Sequence, residues 1–289
     1  MPNDVVYIPN AARVLMNLCS ISIPIFFLSS GYCTLYSEHN TWRKVFRKVG
    51  MIIILAVFWN ILTPFPYWFF ITLSMLYLAT PLMRHMLRLY PWLYWFCILA
   101  IAVATFGKNE IIVMARHLDI APLDTMWVSG LMTSYAFVYY AIGERMRRKT
   151  FPIYLSCILF MSGLIISVVD GSILTISEGA MFDGVNAAFC MLSALLMSTG
   201  AFSLLIRIRY IPFQSIVETA AKGCLAVYIF HSSMISLLRN TGIVQSINSL
   251  YPIYQISLYI ILSILIYLAC WCAGRLILSI PFIRMLMKL

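Results

Sequence analysis

Apolar runs recur along this chain at lengths that match the hydrocarbon core of a bilayer, and no other feature of the sequence restricts the fold as tightly. A helix needs about 20 mostly apolar residues to cross roughly 30 Å of lipid. Runs near that length fall at Ala12–Leu35, Lys48–Leu62, Pro66–Met83, Trp92–Phe106, Met126–Ile142, Phe151–Val169, Val185–Ile206, Ile216–Leu238 and Ile253–Ser279. In soluble domains about a quarter of residues are charged; here the share is 10%, and mean hydropathy is +0.92. The expected fold is all-α, a polytopic transmembrane helix bundle of about nine spans with residues 1–289 as one domain. An odd number of spans places the termini on opposite sides.

The net charge of +10 does not point to nucleic acid, because the basic residues form short clusters between apolar runs and no continuous basic face. Alternate loops hold them: TWRKVFRK, RHMLRLY, GERMRRK, RIRYIPF, Lys222 and the tail from Arg275. Together these carry sixteen of the 20 Lys and Arg residues. The positive-inside rule then puts the C-terminus in the cytoplasm. Asp4, Glu110, Asp119, Asp124, Asp170, Glu178 and Asp183 fall on the outer side. The 8 cysteines show no metal-ligand spacing and read as small apolar residues. The start, MPNDVVYIPNAARV, lacks the basic and apolar regions of a signal peptide. The longer loops, near Gly107–Thr125 and Asp170–Gly184, are too short to fold alone. Function is therefore expected on helix faces and short loops.

Few polar residues lie within the apolar runs. Pro24 removes a backbone donor, and Ser29, Ser30 and Gly31 follow, so this helix is expected to bend, either packing small residues on a neighbour or facing a cavity. His231 is the only histidine within a span. About fifteen residues into a helix from Ile216, it sits about 22 Å along the axis. It is either a neutral histidine bonded to a hydroxyl on an adjacent helix or a proton carrier or sugar ligand. Arg43, Lys44, Arg47 and Lys48 either obey the positive-inside rule alone or clamp a phosphate-bearing ligand. Tyr67, Trp68, Trp92 and Trp127, near helix ends, read first as interface anchors.

Several of these stretches resemble one family. Pro24-Ile25-Phe26-Phe27-Leu28-Ser29-Ser30-Gly31-Tyr32 is similar to the P-[LI]-F-F-x-x-S-G-[YF] pattern of the acyltransferase-3 family, membrane proteins that mostly O-acetylate bacterial surface polysaccharides. Lys44-Val45-Phe46-Arg47, Tyr67-Trp68-Phe69-Phe70 with Leu76-Tyr77 and Pro81-Leu82, Tyr140-Ala141-Ile142-Gly143, and Val227-Tyr228-Ile229-Phe230-His231 follow in family order. The run from Tyr228 through Leu237-Leu238-Arg239-Asn240-Thr241-Gly242-Ile243 is closest to the branch containing the enterobacterial common antigen O-acetyltransferase.

The resemblance implies an O-acetyltransferase of the cell inner membrane that takes acetyl from acetyl-CoA and delivers it to a sugar hydroxyl of a glycan or lipid-linked sugar, with no bound cofactor and no metal. It implies a catalytic or acceptor role for His231, donor binding by Lys44, Arg47 and Arg43, and a cavity lined by Pro24, Ser29, Ser30, Gly31, Tyr32 and Trp68. Lys44 stands where the family has Arg, and lysine lacks the planar fork that grips phosphate with two bonds. Family members have ten core helices, the first bearing the catalytic His. This chain begins where the loop after that helix falls, so the resemblance implies about 20 further apolar residues encoded upstream of Met1. Two alternatives stand beside this reading: a glycan or small-anion transporter or flippase, against which no paired intramembrane carboxylates and no inverted repeat are evident, and an inactive remnant of the acyltransferase.

Overall fold

The structure, a computed structural model, describes residues 18–35, 42–62, 68–118, 133–178, 188–221, 223–248 and 252–278. These residues are largely helical, with no strand among them, as the apolar runs require. In chain order the helices are α1 (Ser22–Thr34), α2 (Trp42–Leu62), α3 (Trp68–Leu89), α4 (Pro91–Ala102), α5 (Lys108–His117), α6 (Ser134–Arg148), α7 (Ile153–Glu178), α8 (Leu192–Leu205), α9 (Gln214–Ala221), α10 (Cys224–Asn240), α11 (Ile243–Asn248) and α12 (Pro252–Leu278). Among the described residues three stretches are long and apolar enough to cross a bilayer: Pro91–Ala115, Ile153–Asp170 and Tyr254–Leu276. A fourth joins them if Gln214–Ala221 and Ala226–Leu238 count as one span. Leu18–Thr34 and Leu192–Leu205 are apolar but shorter. Of the expected Met126–Ile142 span, only the part from residue 133 lies within the described residues.

Several expected loops are helical. The basic stretch after Thr41 forms the first turns of α2, because Val45, Val49, Ile52 and Leu55 repeat at helical spacing and are buried. Its cations are exposed on the same turns, so an amphipathic turn has the composition of a loop. The basic GERMRRK stretch likewise closes α6, with Glu144 buried and bonded to Arg148. Past Phe106 the chain continues through a π-helical turn, Val103–Gly107, into α5, and α7 runs beyond Asp170 to Glu178. The expected single helix Ile216–Leu238 is instead two helices, α9 and α10, with axes 69° apart.

The chain divides into two compact units, Met1–Arg43 with Leu76–Arg209, and Lys44–Met75 with Tyr210–Leu289. In the first unit, helices meet through glycines whose missing side chains let backbones touch. A Cβ on Gly31 of α1 would lie 1.9 Å from the Tyr140 carbonyl oxygen of α6, and one on Gly143 would lie 2.0 Å from that of Leu28. Each helix thus supplies a glycine to the other's backbone. The α7–α8 pair repeats the device: Gly163 abuts Met197, Gly200 abuts Phe160, and the Ser156 and Ser203 hydroxyls bond at 2.8 Å. In the second unit α10 packs on α12, where Gly274 faces Ala226 and Gly223 faces the Trp271 ring.

Candidate functional site

Pro24 sits in the first turn of α1, a position proline tolerates because first-turn donors have no partner within the helix. The interruption therefore falls at the turn at Ile21, and the helix runs unbroken through Ser29, Ser30 and Gly31. Ser29 returns its hydroxyl hydrogen to the Phe26 carbonyl at 2.9 Å. Pro24 and Gly31 are buried, and Ser29, Ser30 and Tyr32 are half-buried. The Tyr32 ring meets Phe202 edge-on at 5.9 Å, with the Arg147 guanidinium 5.8 Å from its centroid.

Two arginines close the C-terminal end of α1. Arg147 donates to the Tyr32 carbonyl at 3.0 Å, and Arg84 donates to those of Leu35 at 3.0 Å and Thr34 at 3.3 Å. A helix end leaves several carbonyls without partners inside the helix, and cations there also match its negative pole. Charges expected to set topology thus fasten a helix as well.

The other sequence-derived candidates gather at two places. Arg43, Lys44, Arg47 and Lys48 are all exposed on the first two turns of α2, the end where the helix dipole disfavours cations. Trp68 opens α3 and meets Phe69 edge-on at 6.1 Å. Phe69 lies 4.7 Å from the Tyr228 ring, which lies 5.7 Å from the imidazole of His231. Trp68, Phe69, Tyr228 and His231 therefore form one aromatic cluster in the second unit. Pro24 to Tyr32 and Arg43 belong to the first unit, whereas Lys44, Arg47, Trp68 and His231 belong to the second.

His231 differs from expectation in depth and in partner. Its helix begins at Cys224, so it sits about 10 Å from the start of α10 rather than about 22 Å along a continuous helix. Its Nδ1 lies 2.6 Å from the Tyr228 backbone oxygen one turn earlier, not from a hydroxyl on another helix. A carbonyl only accepts, so Nδ1 carries the hydrogen. In the neutral ring Nε2 is then the basic nitrogen.

Two features were not visible in the sequence. Where α9 stops, Trp271 Nε1 donates to the Thr219 carbonyl at 3.2 Å and the Tyr267 hydroxyl donates to that of Ala220 at 3.0 Å. These bonds satisfy a helix end that a nonpolar medium would otherwise penalise. The only signal was two aromatic donors four residues apart on one face of α12. The second is a pair of carboxylates at the start of α8. Glu110 accepts from the Leu192 amide at 2.9 Å, and Asp170 is bonded to Ser193 with its second oxygen buried and unpartnered. The sequence puts both on the outer side, in the longer loops, and shows no carboxylate pair. Negative charge is favoured at a helix N-terminus, which accounts for their position. Among the described residues no group of three His, Cys, Asp or Glu side chains is placed to share a metal ion. No family model, curated protein or solved structure matches the chain.

Proposed function

We propose that this protein is a membrane O-acyltransferase that moves an acetyl group from acetyl-CoA to a sugar hydroxyl of a cell-surface polysaccharide. It would act in the bacterial inner membrane with its C-terminus in the cytoplasm. The observation that carries this reading is the exposed cation cluster at the start of α2. Arg43, Lys44 and Arg47 put like charges at the positive end of a helix, and a ligand bearing several phosphates offsets their repulsion. Coenzyme A is such a ligand, and Arg47 offers it a planar fork. The motif resemblance from Pro24 to Ile243 supplies the reaction class.

In that reaction the sugar oxygen attacks the thioester carbonyl, a base takes the hydroxyl proton, the C–S bond breaks, and coenzyme A leaves as the thiol after reprotonation. His231, with Nε2 as its basic nitrogen, receives that proton or holds the acceptor hydroxyl, and Trp68 contributes to the aromatic surface beside it.

Membrane vesicles carrying the protein, given radiolabelled acetyl-CoA and the host glycan, test this directly. Label should pass to the glycan, and Arg47→Ala should raise the KM for acetyl-CoA with the protein still inserted. No transfer from a folded, inserted protein would reject the acyltransferase, and an unchanged KM would leave the α2 cluster a topological signal. A second reading, a glycan or anion transporter, draws on the broken α9–α10 pair and on the carboxylates Glu110 and Asp170. It predicts substrate flux across the vesicle membrane without acetyl transfer.

A further inference from the structure

A groove of 360 Å³ lies between α9 and α12, within the volume range of ligand pockets. Most of its polar groups are already engaged: Trp271 with the Thr219 carbonyl, Tyr267 with that of Ala220, and the Thr219 hydroxyl with the Ser215 carbonyl. What remains as wall is apolar, made of Ile216, Ala220, Leu268 and the Tyr267 and Trp271 rings. A peptide would find no backbone edge to pair with there. Two turns beyond Tyr267 on α12, the Arg275 guanidinium stacks 4.9 Å from the Trp271 ring centroid, placing one exposed cation beside the groove. Helix α9 buries none of its residues, and its own acid, Glu218, is held by Gln214. Tryptophan, tyrosine and arginine together are the side chains that membrane–water interfaces favour.

We propose that this groove seats an acyl chain of an anionic phospholipid, with the lipid phosphate on Arg275. The lipid would fill the space between the two helices and hold α9 against α12. This site shares no residue with those assigned to donor and acceptor, and it stands whether or not the protein transfers acetyl groups.

Acyl-chain bromine quenches nearby tryptophan, so the protein reconstituted in phosphatidylcholine vesicles can be titrated with brominated phosphatidylglycerol or brominated phosphatidylcholine. The anionic lipid should quench with about fivefold higher apparent affinity, the effect of one surface cation on an anionic headgroup. Trp271→Phe should remove that excess quenching, and Arg275→Gln should make the two lipids equivalent while circular dichroism stays unchanged. Arg275 is exposed, so its variant decides the matter even if Trp271→Phe fails to fold. Equal quenching by both lipids in the unaltered protein would show only nonselective lipid contact and overturn the proposal. A preference surviving in Arg275→Gln, or displacement of the brominated anionic lipid by inorganic phosphate, would overturn it equally.

Discussion

Tyr228 determines which nitrogen of His231 carries the hydrogen, because its backbone oxygen lies 2.6 Å from Nδ1 and can only accept. In the neutral ring this leaves Nε2 as the acceptor, the nitrogen a proton-taking group uses. If His231 handles the proton or the acceptor, His231→Ala should slow acetyl transfer at least about tenfold, near 1.4 kcal/mol of transition-state stabilisation. Rate measurements at saturating acetyl-CoA check this, and near-normal turnover would make His231 a packing residue against Tyr228. His231 stands out in the sequence as the only histidine in an apolar run. Its tautomer could not, because that depends on the helix geometry that brings the Tyr228 oxygen under the ring. Glu110 was harder still, as its partner amide is 82 residues away.

At the scale of helices, two glycines separate packing from propensity. A Cβ on Gly31 would meet the Tyr140 carbonyl oxygen at 1.9 Å, backbone against backbone, whereas one on Gly50 of α2 meets nothing within 4 Å. Gly31→Ala should destabilise the protein by about 1–3 kcal/mol, as overpacked cores do. Gly50→Ala should be neutral or stabilising by up to about 1 kcal/mol, since alanine favours a helix interior. Thermal unfolding in detergent distinguishes them, and an equal response to the two changes would refute the close α1–α6 contact. Most helices could be read from their apolar runs, since burial in protein or lipid alike demands such residues. Their ends could not. The start of α2 was hidden because its cations share turns with the buried Val45 and Val49, and the α9–α10 break was hidden because its stabilising partners, Tyr267 and Trp271, lie 47 and 52 residues downstream.

For the molecule as a whole, the distribution of basic residues predicts sidedness, and α7 offers a direct test. At 1.5 Å per residue its 26 residues reach roughly 39 Å, more than a hydrocarbon core. Single cysteines at Thr150 and Ser177, in a cysteine-free background, should therefore be labelled from opposite sides, with Ser177 reached from outside in intact cells. Labelling of both by an impermeant reagent would overturn the sidedness. The clamp on the end of α1 also bears on the order of biosynthesis. Arg147 lies 115 residues after the Tyr32 carbonyl it binds, and Arg84 follows Leu35 by 49. At about 5–20 residues per second, the ribosome needs on the order of 6–23 s to supply Arg147 after Tyr32. During that interval the last turn of α1 is incompletely bonded and its Gly31 face has no Tyr140 backbone to meet.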